Sequence, residues 1–384
     1  MKREVCPICG SSDKTGLFYR DFSGMCEITP FMHYEVFNCN NCVAVYAGEI
    51  QESMPLDRYY RLCSKYSNKE YNLSSSSRRR FLNITGLFEE LIPKDASILE
   101  IGCAEGFLLD MLRNHGYEKV YGIEPSKDCV NYARDNLHIN VTLGGLSDMD
   151  GLGTNRYDVI ILEQVLEHIM SPENAIREML KFLNDDGILC IGVPDLDSFE
   201  DQTDFYRQFS TEHINYFSEC SLKNLMKRYG LRKLISKRNT EEDTFVSFWQ
   251  RTDDADLTLE FDYSGSDAIK AYIRQNEELT KSLKKRTDKQ RNVLSGRGGR
   301  FNVWGSGTYL ATLIQTGIIN SSNIISVIDK NRNYQGHRIY DAEIIDPSDI
   351  DNDDPILIAV YGNSADSVKN DIRQLKISNE ILEV

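Results

Sequence analysis

The stretch ILEIGCAEGFLLDML, residues 98–112, constrains the fold more than any other part of the chain. An apolar run passes through a turn of small residues, Gly102, Ala104 and Gly106, straight into a run with helical periodicity. Small residues at such a turn let the backbone approach a ligand closely, and the helix start adds oriented N–H groups. Three further apolar runs, KVYGIEP, YDVIILEQ and GILCIGVP, each precede an amphipathic stretch. Strands interleaved with helices predict a doubly wound, parallel α/β sheet over residues 76–250.

A chain of 384 residues exceeds the usual size of one domain, and two flanking segments separate by pattern. Residues 1–75 are short-stranded, tyrosine-rich and cysteine-bearing, and close in the polar stretch NLSSSSRRR. Residues 251–384 open with a polar linker, continue into a charged helical stretch at 266–293, and then start a second strand, turn and helix at RFNVWGSGTYLATLIQ. A net charge of −15 argues against a nucleic-acid partner, since counterion release needs clustered Lys and Arg; the run Arg78, Arg79, Arg80 is a local exception. No run of about 18 apolar residues predicts a membrane span, and MKREVCPICG lacks an apolar core behind its charges, so the expectation is a soluble, cytoplasmic protein.

Four of the ten cysteines form two CxxC pairs, Cys6 with Cys9 and Cys39 with Cys42. Two such knuckles suit tetrahedral zinc, with all four positions filled by thiolate, which predicts a structural site. The other six cysteines are scattered through apolar segments and read as reduced core thiols.

Downstream of the small-residue turn, Glu124 ends the second strand-like run, where a carboxylate can accept hydrogen bonds from both hydroxyls of a ribose. Glu100 stands just before the turn, VTLGGLSDMD follows a third strand-like run, and Glu163 ends the fourth. This order resembles the class I methyltransferases, which bind S-adenosylmethionine. The resemblance implies that Glu100, Gly102, Ala104 and Gly106 line the amino-acid end of the cofactor, Glu124 the ribose, and Leu146 with Ser147 the adenine, with Glu163 beside them. An NAD-type dinucleotide site and a degenerate, non-binding version are the other readings of the same turn.

The whole layout, CPICG with CNNC, LEIGCAEG, TEHINYFS and the last strand-turn-helix unit, resembles the zinc-containing sugar C-methyltransferases that act on nucleotide-linked 4-keto-deoxysugars. The resemblance implies a catalytic role for Glu212 and His213 in FSTEHINYFS, with His213 as base. The chain departs from that family at Ser210, where a tyrosine is usual, at Asp195, and in TEEDTFVSFWQR, where a glycine-rich run is usual. Histidine suits removal of a proton beside a ketone, because its unperturbed pKa lies near working pH. Adjacent residues of an extended run point apart, so Glu212 and His213 serve one ligand only if the backbone turns at Ser210 and Thr211. His168, in LEQVLEHI, is a second candidate, and Tyr66 is the choice among Tyr59, Tyr60 and Tyr66, which the resemblance places over the sugar. The same resemblance places Gly305, Ser306, Gly307 and Tyr309 near the sugar or its phosphates. The expected partner is a nucleotide-linked sugar, bound by a monomer or homodimer. A sugar O-methyltransferase, an RNA methyltransferase and a non-catalytic cofactor-binding protein are the competing readings.

Overall fold

The computed structural model describes residues 3–62, 73–253, 258–287 and 299–384. Among these residues, strands β1 (Lys14–Asp21), β2 (Phe31–Cys39) and β3 (Val45–Glu52) form an antiparallel meander, and helix α1 (Leu56–Leu62) follows. The polar stretch SSSSRRR, read as the close of the first segment, is largely helical. It opens helix α2 (Ser75–Leu91), capped by Ser74, whose hydroxyl accepts the N–H of Ser77 at 3.0 Å.

The central sheet is built from β4 (Ile98–Ile101), β5 (Val120–Glu124), β6 (Asn140–Leu143), β7 (Tyr157–Glu163) and β8 (Leu183–Pro194), with helices α3 (Phe107–Asn114), α4 (Lys127–Asp135) and α5 (Pro172–Phe182) between them. All neighbours among these five strands are parallel. After the two-residue strand β9 (Asn215–Tyr216) and helix α6 (Glu219–Lys227), β10 (Leu231–Asn239) and β11 (Thr244–Arg251) add an antiparallel edge, which gives the order β10-β11-β8-β7-β4-β5-β6. FVSFWQR thus lies in β11. The order reverses between β4 and β7, and open α/β sheets bind ligands in the crevice beyond the strand ends at such a point. The inner strands are apolar on both faces, as helix-covered parallel strands must be. Leu99, Ile160, Ile161 and Leu162 are fully buried, and each contributes about 1.5–3 kcal/mol on burial.

Helix α7 (Ser264–Thr287) leads into a third sheet of β12 (Phe301–Trp304), β13 (Ile324–Ile328), β14 (Arg338–Ile339), β15 (Ala342–Ile345), β16 (Ile356–Ile358) and β17 (Ile381–Leu382). Its order is β14-β15-β13-β12-β16-β17, parallel except for the β14-β15 pair.

The three sheets share packing. One apolar cluster joins Cys6, Ile8 and Phe37 to Leu99, Leu162 and Leu222; a second joins Phe31 and Tyr34 to Phe209, Tyr272 and Leu310. β9 pairs with β3, so the segment around Glu212 and His213 is bound to the edge of the first sheet.

Candidate functional site

The turn after β4 is held in a shape that ordinary side chains resist. Gly102 has φ +74°, and a Cβ there would lie 2.8 Å from a methyl of Val165. Gly106, at φ +81°, caps α3 in the left-handed region. Ala104 adopts φ +45° despite its methyl, a strain of about 1–2 kcal/mol that the surroundings must offset. Part of the compensation is visible: the Ala104 N–H donates to Glu124 Oε2 at 3.0 Å, and Ser126 N–H donates to Glu124 Oε1 at 2.8 Å. Burial pushes the Glu124 carboxyl up to about 7, and these two N–H donors hold it from rising further.

A cleft of about 800 Å³ opens beyond these strand ends, and Glu100, Gly102, Ala104, Glu124, Leu146, Ser147 and Glu163 all lie on its wall. Gly106 underlies the turn as the cap of α3. At one end, Glu163 Oε1 accepts from Arg80 Nε at 2.9 Å, and Arg80 is braced by Ser76 Oγ at 3.0 Å. Glu163 fills the space above Gly192, where a Cβ would lie 1.8 Å from its carboxylate oxygen. Glu100 is 3% exposed, and its Oε2 has no hydrogen-bond partner among the described residues. Burial first, then the charges of Glu163 and Glu124, hold the Glu100 carboxyl well above its usual range. Burial also raises Glu163, against the opposing pull of Arg80. Glu100 and Glu163, with one guanidinium paired to Glu163, make a cleft end that favours a cationic ligand group.

Helix α1 covers the other end. Leu56, Asp57 and Tyr60 line the cleft, Ser147 Oγ donates to Asp57 Oδ2 at 3.0 Å, and Arg61 reaches Asp148 at 2.8 Å.

In FSTEHINYFS the backbone does turn. The hydroxyl of Ser210 accepts the N–H of Glu212 at 3.2 Å and of His213 at 3.0 Å, and its carbonyl accepts from Tyr34 Oη at 2.8 Å. Ser210 is therefore a turn former. Glu212 Oε1 accepts from Tyr59 Oη at 2.7 Å, and Tyr59 in turn lies 3.5 Å from the hydroxyl of Tyr334 in the third sheet's unit. Burial, then the Glu212 charge, hold the Tyr59 phenol well above its usual range. The ring of His213 stands edge-on to that of His168, centroids 4.9 Å apart. His168 lines the cleft, and Glu212 and His213, both half-buried, stand beside it. His168 Nδ1 is 3.2 Å from the Glu212 carbonyl, which only accepts, so Nδ1 carries a proton in that bond; Nε2 is 3.7 Å from Glu167 Oε1. The buried Glu167, the brace Arg80 and the partner Tyr59 of Glu212 carry no local motif. Only the four-residue spacing of Ser76 and Arg80 on one helix face could have marked any of them. Tyr66 lies outside the described residues.

The four cysteines Cys6, Cys9, Cys39 and Cys42 converge, with all ligand sulfurs within 4.8 Å of one another. Cys6 Sγ to Cys42 Sγ and Cys9 Sγ to Cys39 Sγ are each 3.6 Å, close to the roughly 3.8 Å between sulfurs of a tetrahedral zinc with Zn–S bonds of about 2.3 Å. The backbone N–H of Ile8 points at Cys6 Sγ, 3.4 Å away. Four thiols this close together, three of them buried, form the closed donor set of a structural dication. The donor set therefore fits zinc.

The last strand-turn-helix repeats the first on a smaller scale. Ser306 N–H and Oγ donate to Asp329 Oδ2 at 3.1 and 2.5 Å, as Ala104 does to Glu124. Gly305 has φ +113°, and a Cβ there would meet the Ala359 carbonyl at 2.6 Å.

Residues 75–236 match the profile of a family described as a methyltransferase domain. A ubiquinone biosynthesis O-methyltransferase of Glaesserella parasuis is 28% identical over 136 residues, 33% of this chain and 55% of that protein. The mitochondrial ubiquinone biosynthesis O-methyltransferase of Saccharomyces cerevisiae is 28% identical over 109 residues, 26% and 34% of the two chains. The chain thus spans about half or less of the length of these curated relatives. Among solved structures, the N-methyltransferase NodS of Bradyrhizobium japonicum in complex with S-adenosyl-L-homocysteine is 18% identical, covering 49% of this chain and 95% of that one with a TM-score of 0.39. Among the described residues, no helix is long and apolar enough to cross a membrane.

Proposed function

We propose that the protein is an S-adenosylmethionine-dependent methyltransferase acting on a nucleotide-linked deoxysugar, at C-3 beside a 4-keto group, and that the cysteine cluster holds a structural zinc ion. One observation carries the cofactor reading: a glycine turn at the sheet's reversal point delivers Glu124 and the buried, unpartnered Glu100 to the same cleft. In that cleft Glu124 would accept from the ribose hydroxyls, Glu100 and Glu163 would face the ammonium, and Leu146 with Ser147 would flank the adenine. The bound cofactor supplies an electrophilic methyl group on a sulfonium.

The remaining chemistry belongs to the chain. His213 takes the proton from the carbon beside the ketone, and His168, whose Nδ1 stays on the Glu212 carbonyl, holds the ring pair in place. Glu212 fixes Tyr59 and so ties α1 to the loop. Tyr60 lines the cleft with its ring 6.0 Å from that of His168 and so packs the ring pair from the α1 side. Mass spectrometry with S-adenosylmethionine and a panel of nucleotide-linked 4-keto sugars tests the reading by a gain of one methyl. Deuterium wash-in beside the ketone that depends on His213 marks carbon methylation.

Methylation of a sugar hydroxyl is the second reading, favoured by both curated relatives being O-methyltransferases. A methylated hydroxyl product without deuterium exchange selects it.

A further inference from the structure

Arg3 lies three residues before the first cysteine of the knuckle, is 9% exposed, and points its guanidinium at the two loops that carry the histidines. Nη1 donates to the Ala47 carbonyl at 3.1 Å, the Ile214 carbonyl at 3.1 Å and Asn215 Oδ1 at 2.9 Å. Nη2 donates to the Ile169 carbonyl at 3.1 Å and to that of Met170. Two of these acceptors follow His168 and two follow His213. Asn215 completes the lock from the other side, its amide donating to the Leu166, Glu167 and Ile169 carbonyls at 3.1, 3.3 and 2.8 Å. Ile214 N–H donates to the Glu167 carbonyl at 3.0 Å, and Ala47 N–H to that of Ile214 at 2.8 Å.

We propose that Arg3 is a positioning residue that fixes His168 and His213 against each other, and that the cysteine knuckle serves the reaction by anchoring Arg3. The function of the knuckle then extends past folding its own segment. The two terminal nitrogens of the planar guanidinium, with four N–H groups between them, span acceptors from two loops and a strand at once, while the buried Nε finds no partner among the described residues; an ammonium has three donors on a single atom. Burial costs the charge part of its stability, holding the Arg3 pKa down at about 10, so the group is kept by its acceptors and not by solvent. Loop positions set to within a fraction of an ångström matter because a base must meet its proton in line with the reacting carbon. This inference rests on the reading of the histidines given above.

The test uses the full, zinc-loaded chain and nitrogen-labelled histidine. Imidazole resonances of His168 and His213 are identified by their loss in His168→Gln and His213→Gln. In Arg3→Lys, which keeps the charge but loses the fork, both resonances should move while the other four histidines of the six keep theirs, and affinity for methylthioadenosine should stay within about twofold. Chelation of the wild-type protein should move the same two resonances. Where methyl transfer is measurable, Arg3→Lys should lower kcat roughly tenfold or more with little change in KM. Unmoved His168 and His213 signals in folded Arg3→Lys overturn the proposal, and so does a collapse of all six, which marks a merely structural arginine. Unmoved signals on chelation overturn the link to the knuckle. A wild-type protein that transfers no methyl to any sugar defeats the earlier reading instead, and the spectra still decide this one.

Discussion

Glu124 offers the sharpest test of the cofactor cleft, because its environment sets both the sign and the size of a pH effect. Its carboxyl rises from an ordinary 4.5 to about 7, chiefly through burial. Only the carboxylate can accept from two ribose hydroxyls while also accepting from Ala104 and Ser126. At pH 6 about nine in ten molecules carry the proton and must release it to bind, so affinity at pH 6 should be about tenfold below that at pH 8, or about 1.4 kcal/mol. Calorimetric titration with methylthioadenosine reads this cleanly, since that fragment lacks the amino-acid end proposed to face Glu100 and Glu163. The apo protein moves the other way. A carboxyl raised on folding contributes stability that is complete below about pH 4.5 and lost as pH climbs through about 7, here about 3 kcal/mol in total. The apo melting temperature should therefore fall from pH 5 to pH 8 as the affinity rises. In Glu124→Gln the NH₂ must face the N–H of Ala104 or of Ser126. That substitution should cost about 1–3 kcal/mol of stability, weaken binding about 10–100-fold and flatten the pH dependence of binding. Wild-type affinity that is level from pH 6 to 8, or an equal slope in Glu124→Gln, refutes the assignment of Glu124 to the ribose.

Three further outcomes follow from geometry on other walls of the site. Gly102→Ala places a Cβ 2.8 Å from Val165 in a left-handed backbone, and should cost about 1–3 kcal/mol in denaturant unfolding and depress methylthioadenosine binding. Arg80→Met strips Glu163 of its cation and should destabilise by about 3–5 kcal/mol at pH 8; the loss should shrink as pH falls and the raised carboxyl takes up a proton, and adding Glu163→Gln should restore part of it. Ser210→Ala removes the acceptor of two N–H groups and should cost about 1–2 kcal/mol; deuterium exchange on the sugar should slow while methylthioadenosine affinity is unchanged.

How much of this was legible in the sequence depends on how local each feature is. The turn at Gly102, Ala104 and Gly106 was readable because small residues between an apolar and an amphipathic run have few other uses, and Glu124 followed from its distance along the chain. The cysteine pairs were readable because CxxC is a turn with a chemistry of its own. The antiparallel strands β10 and β11 were missed: LRKLISKRN carries four cations and reads as surface, and its place was decided by the edge of β8. β9 is two residues long, too short for any periodicity, yet it decides where Glu212 and His213 stand. The Glu212 carboxylate meets Tyr59, 153 positions away, a contact that no spacing encodes. Arg80 was read as part of a basic run, whereas its register on α2 turns it inward to Glu163.

The pairing of Val45 with Tyr216 has a consequence for how the chain is made. The first sheet leaves the ribosome with β3 as a bare edge, and its closing strand is synthesised on the order of ten to thirty seconds later at about 5–20 residues per second. A bare edge invites pairing with other nascent chains. The four sulfurs all lie within the first 42 residues, so metal capture can close the knuckle early and hold the meander in one shape until the strand it waits for has been translated.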